Sequence, residues 1–115
     1  MIGGVEIDNR DAVVLARLVG EVDLSNVYDL EATIRRAISA RTRGVVLDLT
    51  PTSYLDSTGI RMIFSLGRRL NDRRHELRVV ADRSSLIRRV LTITQMDEVV
   101  PLDETVEDAL AALGS

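Results

Sequence analysis

The sequence of 115 residues contains no cysteine, no lysine and no long apolar run. Without cysteine, neither a disulfide framework nor a thiolate metal site can form. Without lysine the phosphate-binding lysine of a Walker motif is excluded, and no glycine-rich nucleotide loop is present. No apolar stretch approaches the ~20 residues that span a bilayer. We therefore expect no cofactor and no membrane-spanning segment.

The remaining composition is that of an ordinary globular protein, with 45% hydrophobic and 29% charged residues. A length of 115 residues suits one domain, taken as residues 1–115. The net charge of −3 argues against a nucleic-acid-binding protein, whose surface is usually basic. The first six residues lack the basic and apolar segments of a signal peptide, so a cytoplasmic location without membrane contact is expected.

Apolar patterning predicts an alternation of strands and helices along the chain. Strands are expected at 5–7, 12–19, 45–49, 77–81 and 99–100, and helices over about 26–40, from 56–57 to about 71–74, from 86 onward and over about 103–113. Strands that alternate with helices favour parallel pairing through right-handed crossovers. The predicted fold is α/β, with a mixed, mostly parallel sheet of four to five strands and about four helices.

Local signals set the expected boundaries of these elements. Gly20 is expected to end the second strand, and Gly44 to stop the first helix in a left-handed conformation. Asp23 or Ser25 is expected to cap that helix. Residues 50–55 are predicted to form a short loop, since Pro51 cannot donate to a sheet ladder. Leu86 is expected to face inward with Ile87, Val90 and Leu91.

The most informative stretch begins at the strand 45–49 and continues into a helix. Asp56 and Ser57 are both preferred N-cap residues. The solvent-facing side of the helix is expected to carry Ser57, Arg61, Ser65, Arg68 and Asp72. Ser57 is therefore either a simple helix cap or an exposed hydroxyl with a function.

Catalytic and metal-binding interpretations have little support. The Gly-x-Ser-x-Gly motif of serine hydrolases is absent, because Leu55 stands where its first glycine should be. The only histidine, His75, lies far along the chain in a polar turn, as expected for a solvated side chain. Asp48 and Asp56 form a weak acidic pair, which we expect to bind loop amides and to cap the helix, respectively. An enzyme and a metal site are therefore disfavoured.

Four sequence segments resemble the STAS domain family, specifically its bacterial anti-sigma-factor antagonists. The main segment is YLDSTGI at 54–60, which follows VLDL at 46–49. The upstream GEVD at 20–23 is similar to the family's first conserved turn, and EDAL at 107–110 to its closing helix. The element order and the length also resemble the family, so the likeness covers nearly the whole chain.

The resemblance implies a regulatory switch in transcription, of the kind used in stress response and sporulation. Ser57 matches the serine that an anti-sigma factor with serine kinase activity phosphorylates. The unphosphorylated form would bind the anti-sigma factor and release its sigma factor, and a metal-dependent serine/threonine phosphatase would restore it. Asp23 and Asp56 match positions beside the phosphosite and are predicted to bind the partner, together with Thr58 and Arg61. Thr58 is also a candidate second acceptor.

Two other functions stay open at this point. A STAS scaffold or accessory subunit of a transport or signalling assembly would use the same fold without phosphorylation of Ser57. An enzyme is the third alternative, opposed by the missing base and oxyanion elements. The protein is expected to be a monomer or a weak homodimer.

Overall fold

Six strands form one mixed sheet in residues 3–114, the part of the chain that the computed structural model describes. The elements in order are β1 (Gly4–Arg10), β2 (Val13–Val22), α1 (Val27–Ala37), β3 (Gly44–Asp48), β4 (Thr52–Leu55), α2 (Ser57–Asp72), β5 (Glu76–Val80), α3 (Leu86–Ile93), β6 (Leu102–Asp103) and α4 (Val106–Ala112), with a 3-10 turn at Met96–Glu98. Among these helices, none has the length and apolar character that crossing a membrane requires.

The sheet has the order β1-β2-β3-β5-β6, and β4 pairs with the far end of β2. Of the strands in residues 3–114, only β1 runs antiparallel to its neighbour, and the other pairings are parallel. The predicted mixed, mostly parallel α/β architecture is therefore confirmed. Parallel strands place their carboxyl ends at one edge of the sheet, where the loops to the following helices lie.

Helices cover both faces of the sheet, which explains why its central strands are almost wholly apolar. The helices α1, α2 and α3 pack on the face that presents Val14, Ala16 and Leu18 of β2. The alternate side chains Val13 and Leu15 face α4 instead. The larger core thus lies beneath α2, whose first turn contains Ser57.

The segment at 50–55, predicted to be a loop, contains the additional strand β4. Gly20 does not end β2 as predicted, because its positive φ of 83° and an adjacent register shift allow the strand to continue to Val22. The extended end of β2 then pairs with β4, with Val22 opposite Leu55. The sheet has six strands in the described residues, rather than four to five, for this reason.

The last strand lies after Pro101 rather than at 99–100 as predicted. The Val100 amide donates to the carbonyl of Met96 at 2.8 Å, so the chain there belongs to the end of the 3-10 turn. The Pro101 carbonyl accepts from the Val79 amide at 3.0 Å and starts the pairing that β6 continues. The two valines were mistaken for a strand because an apolar pair before a proline is equally compatible with a buried turn.

Several predicted boundaries were also wrong. Gly44 begins β3 instead of stopping α1, which already ends at Ala37. The first hairpin turns at Asp11, which has a φ of 56°, so β1 extends to Arg10. Leu86 is 75% exposed rather than inward-facing. As an N1 residue it precedes the first position of α3 that reaches the core, Ile87.

A buried carboxylate holds the carboxyl end of β3. Asp48 is only 2% exposed, and its Oδ2 accepts from Nε of Arg17 on β2 at 3.0 Å. Its Oδ1 accepts from the amide and the hydroxyl of Thr50 at 3.0 and 2.8 Å. The prediction that Asp48 binds loop amides is confirmed. The carboxylate thus fixes the loop that leads into β4 and then α2.

Replacing Asp48 by alanine should destabilise the fold by about 2–3 kcal/mol, because charged hydrogen bonds are lost at a buried position. Equilibrium urea unfolding followed by circular dichroism measures this. The matched control is Asp8→Ala, which breaks the exposed pair of Asp8 with Arg10 and should change stability by under ~0.5 kcal/mol. Equal effects of the two substitutions would contradict the role given to Asp48.

Candidate functional site

Asp56 caps α2 with its side chain. The carboxylate Oδ1 accepts from the amides of Thr58 and Gly59 at 2.9 and 3.1 Å, and from the hydroxyl of Thr58. These amides belong to the first helical turn and have no partner within the helix. The prediction that Asp56 caps this helix is therefore confirmed, whereas Ser57, the alternative cap, is the first residue inside the helix.

The same carboxylate also reaches a second segment of the chain. Its Oδ2 accepts from the amide of Leu24 at 3.3 Å, in the loop between β2 and α1. The Asp56 amide in turn donates to the carbonyl of Val22 at 3.2 Å. Asp56 therefore joins the start of α2 to the loop at 23–26, which is separate in sequence.

The loop at 23–26 is braced by its own polar side chains. The Asp23 amide donates to Oδ1 of Asn26 at 3.0 Å, while Nδ2 of Asn26 donates to the Glu21 carbonyl at 2.8 Å. The Asp23 carboxylate accepts from the amide and hydroxyl of Ser25. The expected capping of α1 by Asp23 or Ser25 is wrong, because the N-cap residue is Asn26 and its side chain binds the loop rather than the helix.

Gly59 allows the start of α2 to lie against the sheet. A Cβ atom at this position would come within 2.4 Å of Cδ1 of Leu55 and 3.2 Å of Cγ1 of Val22. Both side chains belong to the larger core. Any side chain at position 59 would therefore require the Leu55 side chain to shift or the first turn of α2 to move outward.

Each predicted site residue has a distinct environment. Ser57 and Arg61 are exposed, whereas Asp23, Asp56 and Thr58 are half-buried. Within residues 3–114 the side chain of Ser57 makes no hydrogen bond and Arg61 forms no ion pair. Ser57 and Arg61 stand four residues apart on one helix and share a face. The hydroxyl of Thr58 already binds Asp56, which makes Thr58 the poorer candidate acceptor.

Exposed apolar side chains near Ser57 were missed in the sequence. Leu24 is 60% exposed and follows Asp23 in the braced loop, and Tyr54 is 53% exposed on β4, two residues before Asp56. A signal existed, since both are large apolar residues outside the predicted strands and helices. We call Asp23, Leu24, Tyr54, Ser57 and Arg61 the Ser57 surface. Exposed apolar groups rimmed by polar ones are typical of protein-binding surfaces.

The other candidate chemical groups are not part of the Ser57 surface. His75 follows α2 at the opposite edge of the sheet, where its amide donates to the Leu70 carbonyl at 2.8 Å. Asp48 is bound to Arg17 and Thr50, as described above. Within residues 3–114 no group of three or more acidic, histidine or cysteine side chains is arranged to hold a metal ion.

The hydrogen bonds to Asp56 lower the pKa of its carboxyl group. The bond from the Thr58 hydroxyl, followed by those from the amides of Gly59, Thr58 and Leu24, holds the pKa of the Asp56 carboxyl below its ordinary value. Partial desolvation opposes this shift without cancelling it. Asp56 therefore stays ionised while it joins the two segments.

Comparison with known proteins finds relatives that match nearly the whole chain. The profile of the STAS domain family matches residues 4–109. The protein BtrV of Bordetella bronchiseptica is 30% identical over 106 residues, which cover 92% of this chain and 90% of BtrV. The anti-sigma-F factor antagonist RsfB of Mycobacterium tuberculosis is 26% identical over 109 residues, covering 95% of this chain and 88% of RsfB. An anti-sigma factor antagonist from Mycobacterium paratuberculosis has a similar crystal structure, with a TM-score of 0.88, 25% identity, and coverage of 99% of this chain and 96% of that one.

The lowered pKa of Asp56 predicts a specific loss of stability in acid. A carboxyl whose pKa is lower in the folded state stabilises the protein fully above its unfolded pKa of ~3.9, and the contribution is lost as the pH falls through the folded pKa. Asp56→Asn should keep a capping acceptor but lose this pH dependence. Urea midpoints measured from pH 6 down to pH 2.5 should therefore fall less steeply for Asp56→Asn than for the unchanged protein. Asp11→Asn, at the exposed turn between β1 and β2, is the control and should follow the unchanged protein, because no side-chain hydrogen bond or ion pair of Asp11 is formed within residues 3–114. A parallel curve for Asp56→Asn would contradict the role given to Asp56.

Proposed function

Because the chain belongs to the STAS domain family, we propose that it is an anti-sigma factor antagonist. In this function it binds an anti-sigma factor and thereby frees the sigma factor which that protein holds. Two observations support the proposal: RsfB, which matches over 95% of this chain, bears that name, and the M. paratuberculosis protein of similar structure bears it too. Both relatives are covered nearly end to end, so the likeness is not confined to a shared fragment.

The Ser57 surface is the proposed contact with the anti-sigma factor. The observation that carries this assignment is the exposed Ser57 hydroxyl at the start of α2, where Asp56 fixes its backbone. Leu24 and Tyr54 supply apolar contact area on the adjoining segments, and Asp23 and Arg61 supply charges of both signs. A surface held rigid in advance loses little conformational entropy on binding.

Phosphorylation of Ser57 is the proposed off-switch, with the anti-sigma factor acting as the serine kinase. A phosphate adds a charge of about −1.5 to −2 at neutral pH. The amides of Thr58 and Gly59 already bind Asp56, so they are not available to the phosphate. Arg61, four residues along the same face, is the nearest cation in sequence and suits an i, i+4 pair with it. The phosphate would therefore occupy the contact surface and also withdraw Arg61 from the partner.

The proposal also covers the phosphatase, the role of Thr58 and the state of the protein in the cell. A serine/threonine phosphatase would restore the binding form, and Thr58 would contribute by holding Asp56 rather than as an acceptor. We propose no catalytic activity, since His75 lies at the opposite edge of the sheet from Ser57. We further propose that residues 1–115 form a single STAS domain that acts in the cytoplasm as a monomer or weak homodimer, without binding nucleic acid.

Ser57 should be the principal phosphorylation site. Incubation with the cognate anti-sigma factor and ATP, followed by intact-mass and peptide mass spectrometry, should give one phosphoform that is absent in Ser57→Ala. Ser57→Ala should change stability by under ~0.5 kcal/mol, because Asp56 and not Ser57 is the cap. Thr58→Val serves as the control and should still be labelled. Stoichiometric labelling of Ser57→Ala would rule the assignment out.

Charge reversal at Arg61 should weaken the complex with the anti-sigma factor by about 10-fold or more, which corresponds to at least ~1.4 kcal/mol. Its exposed position should keep the melting temperature close to that of the unchanged protein. Isothermal titration calorimetry of Arg61→Glu against the partner tests this. Arg36→Glu, on the exposed last turn of α1, is the control for net charge and should bind normally. Unchanged affinity in Arg61→Glu would mean that this arginine is only a solvated surface residue.

A further inference from the structure

A cavity of about 780 Å³ opens at the edge of the sheet opposite to Ser57. The amino ends of β3 and β5, the last turns of α2 and α4, and the segment at 99–101 surround it. Its volume lies within the range of about 300–1,000 Å³ found for small-molecule sites. The Ser57 surface does not contribute to this cavity, so any ligand here would act separately from the proposed contact with the anti-sigma factor.

The charged groups at the cavity are predominantly cationic. Among residues 3–114, the charged lining consists of Arg43, Arg68 and Arg74 with one carboxylate, that of Glu76. None of the three arginines forms an ion pair within residues 3–114, whereas Glu76 is already bound to Arg78. Three guanidinium groups around one concavity can bind an anionic group through paired N–H donors.

The arginines are not needed to cap the helix that ends here. The carboxyl end of α2 carries a partial negative charge of about −0.5, which basic residues commonly offset. Two of the terminal carbonyls are nevertheless satisfied by the backbone, and the first is that of Leu70, which accepts from the Arg73 and His75 amides at 3.0 and 2.8 Å. The Arg74 amide likewise donates to the carbonyl of Asn71 at 2.9 Å. The guanidinium groups therefore remain available to a ligand.

The cavity also has an apolar surface. The exposed Val99 and Pro101 and the half-buried Leu113 supply it. These features call for a ligand with both a charged and an apolar part.

We propose that this cavity binds a small organic anion in which a phosphate or carboxylate group is joined to an apolar body. The guanidinium groups of Arg43, Arg68 and Arg74 bind the anionic group, and the apolar body lies on Val99, Pro101 and Leu113. The inference rests on the cavity alone and does not depend on the proposed function.

Titration of the full 115-residue chain with phenyl phosphate, followed by amide NMR, tests the proposal. Phenol and inorganic phosphate are the control probes, since phenol has only the apolar ring and inorganic phosphate has only the anionic group. Phenyl phosphate should bind at least 10-fold more tightly than either and should shift the amides of Gly44, His75 and Val100. Equal affinity for inorganic phosphate, or shifts elsewhere on the chain, would overturn the proposal.

A pair of double variants separates a built site from general charge attraction. Arg43→Ala with Arg74→Ala should reduce the affinity for phenyl phosphate at least 10-fold. Arg36→Ala with Arg89→Ala removes the same charge from exposed positions outside the cavity and should leave the affinity unchanged. All four residues are exposed, so both variants should retain their melting temperature, which a thermal scan checks. Equal losses in the two variants would show that the arginines attract anions only through net charge.

Discussion

The Asp56 carboxylate is the interaction on which the geometry of the Ser57 surface depends. One oxygen binds the first turn of α2, and the other binds the loop between β2 and α1. Because the carboxylate is bound on both sides, neither segment can move without breaking a charged hydrogen bond. Gly59 adds a steric constraint, since it lets the same turn lie directly on Leu55 and Val22. The core thus fixes the helix, the helix fixes Asp56, and Asp56 fixes the loop.

Neighbouring residues at the start of α2 have different roles. Asp56, Thr58 and Gly59 are engaged in structure, and Ser57, between them, projects a hydroxyl that the fold does not use. Modification of this hydroxyl should therefore cost little stability. The modified group would lie among the side chains of the Ser57 surface, the proposed contact with the anti-sigma factor. The proposed switch is therefore local: a phosphate alters charge and shape at the contact surface, and the sheet beneath has no reason to rearrange.

Much of the fold and the cap of α2 could be predicted, because the strongest sequence signals depend on residues that are close together in the chain. The buried strand at 45–49 and the cap at Asp56 follow from apolar pattern and cap chemistry. What could not be predicted depends on distant partners: β4 exists only because β2 continues past Gly20, and the bond from Leu24 to Asp56 joins residues 32 positions apart. Val99 and Val100 were misassigned because burial in a turn and burial in a strand give the same local pattern.

We propose that phosphorylation of Ser57 blocks binding to the anti-sigma factor without rearranging the fold. The most direct measurement compares the phosphorylated and unmodified chains by amide NMR and by calorimetric titration with the anti-sigma factor. The account predicts a loss of affinity of at least about 10-fold, with shift changes confined to the loop at 23–26 and the segment at 54–62. Unchanged affinity, or shift changes that extend into β1 and α4, would contradict it.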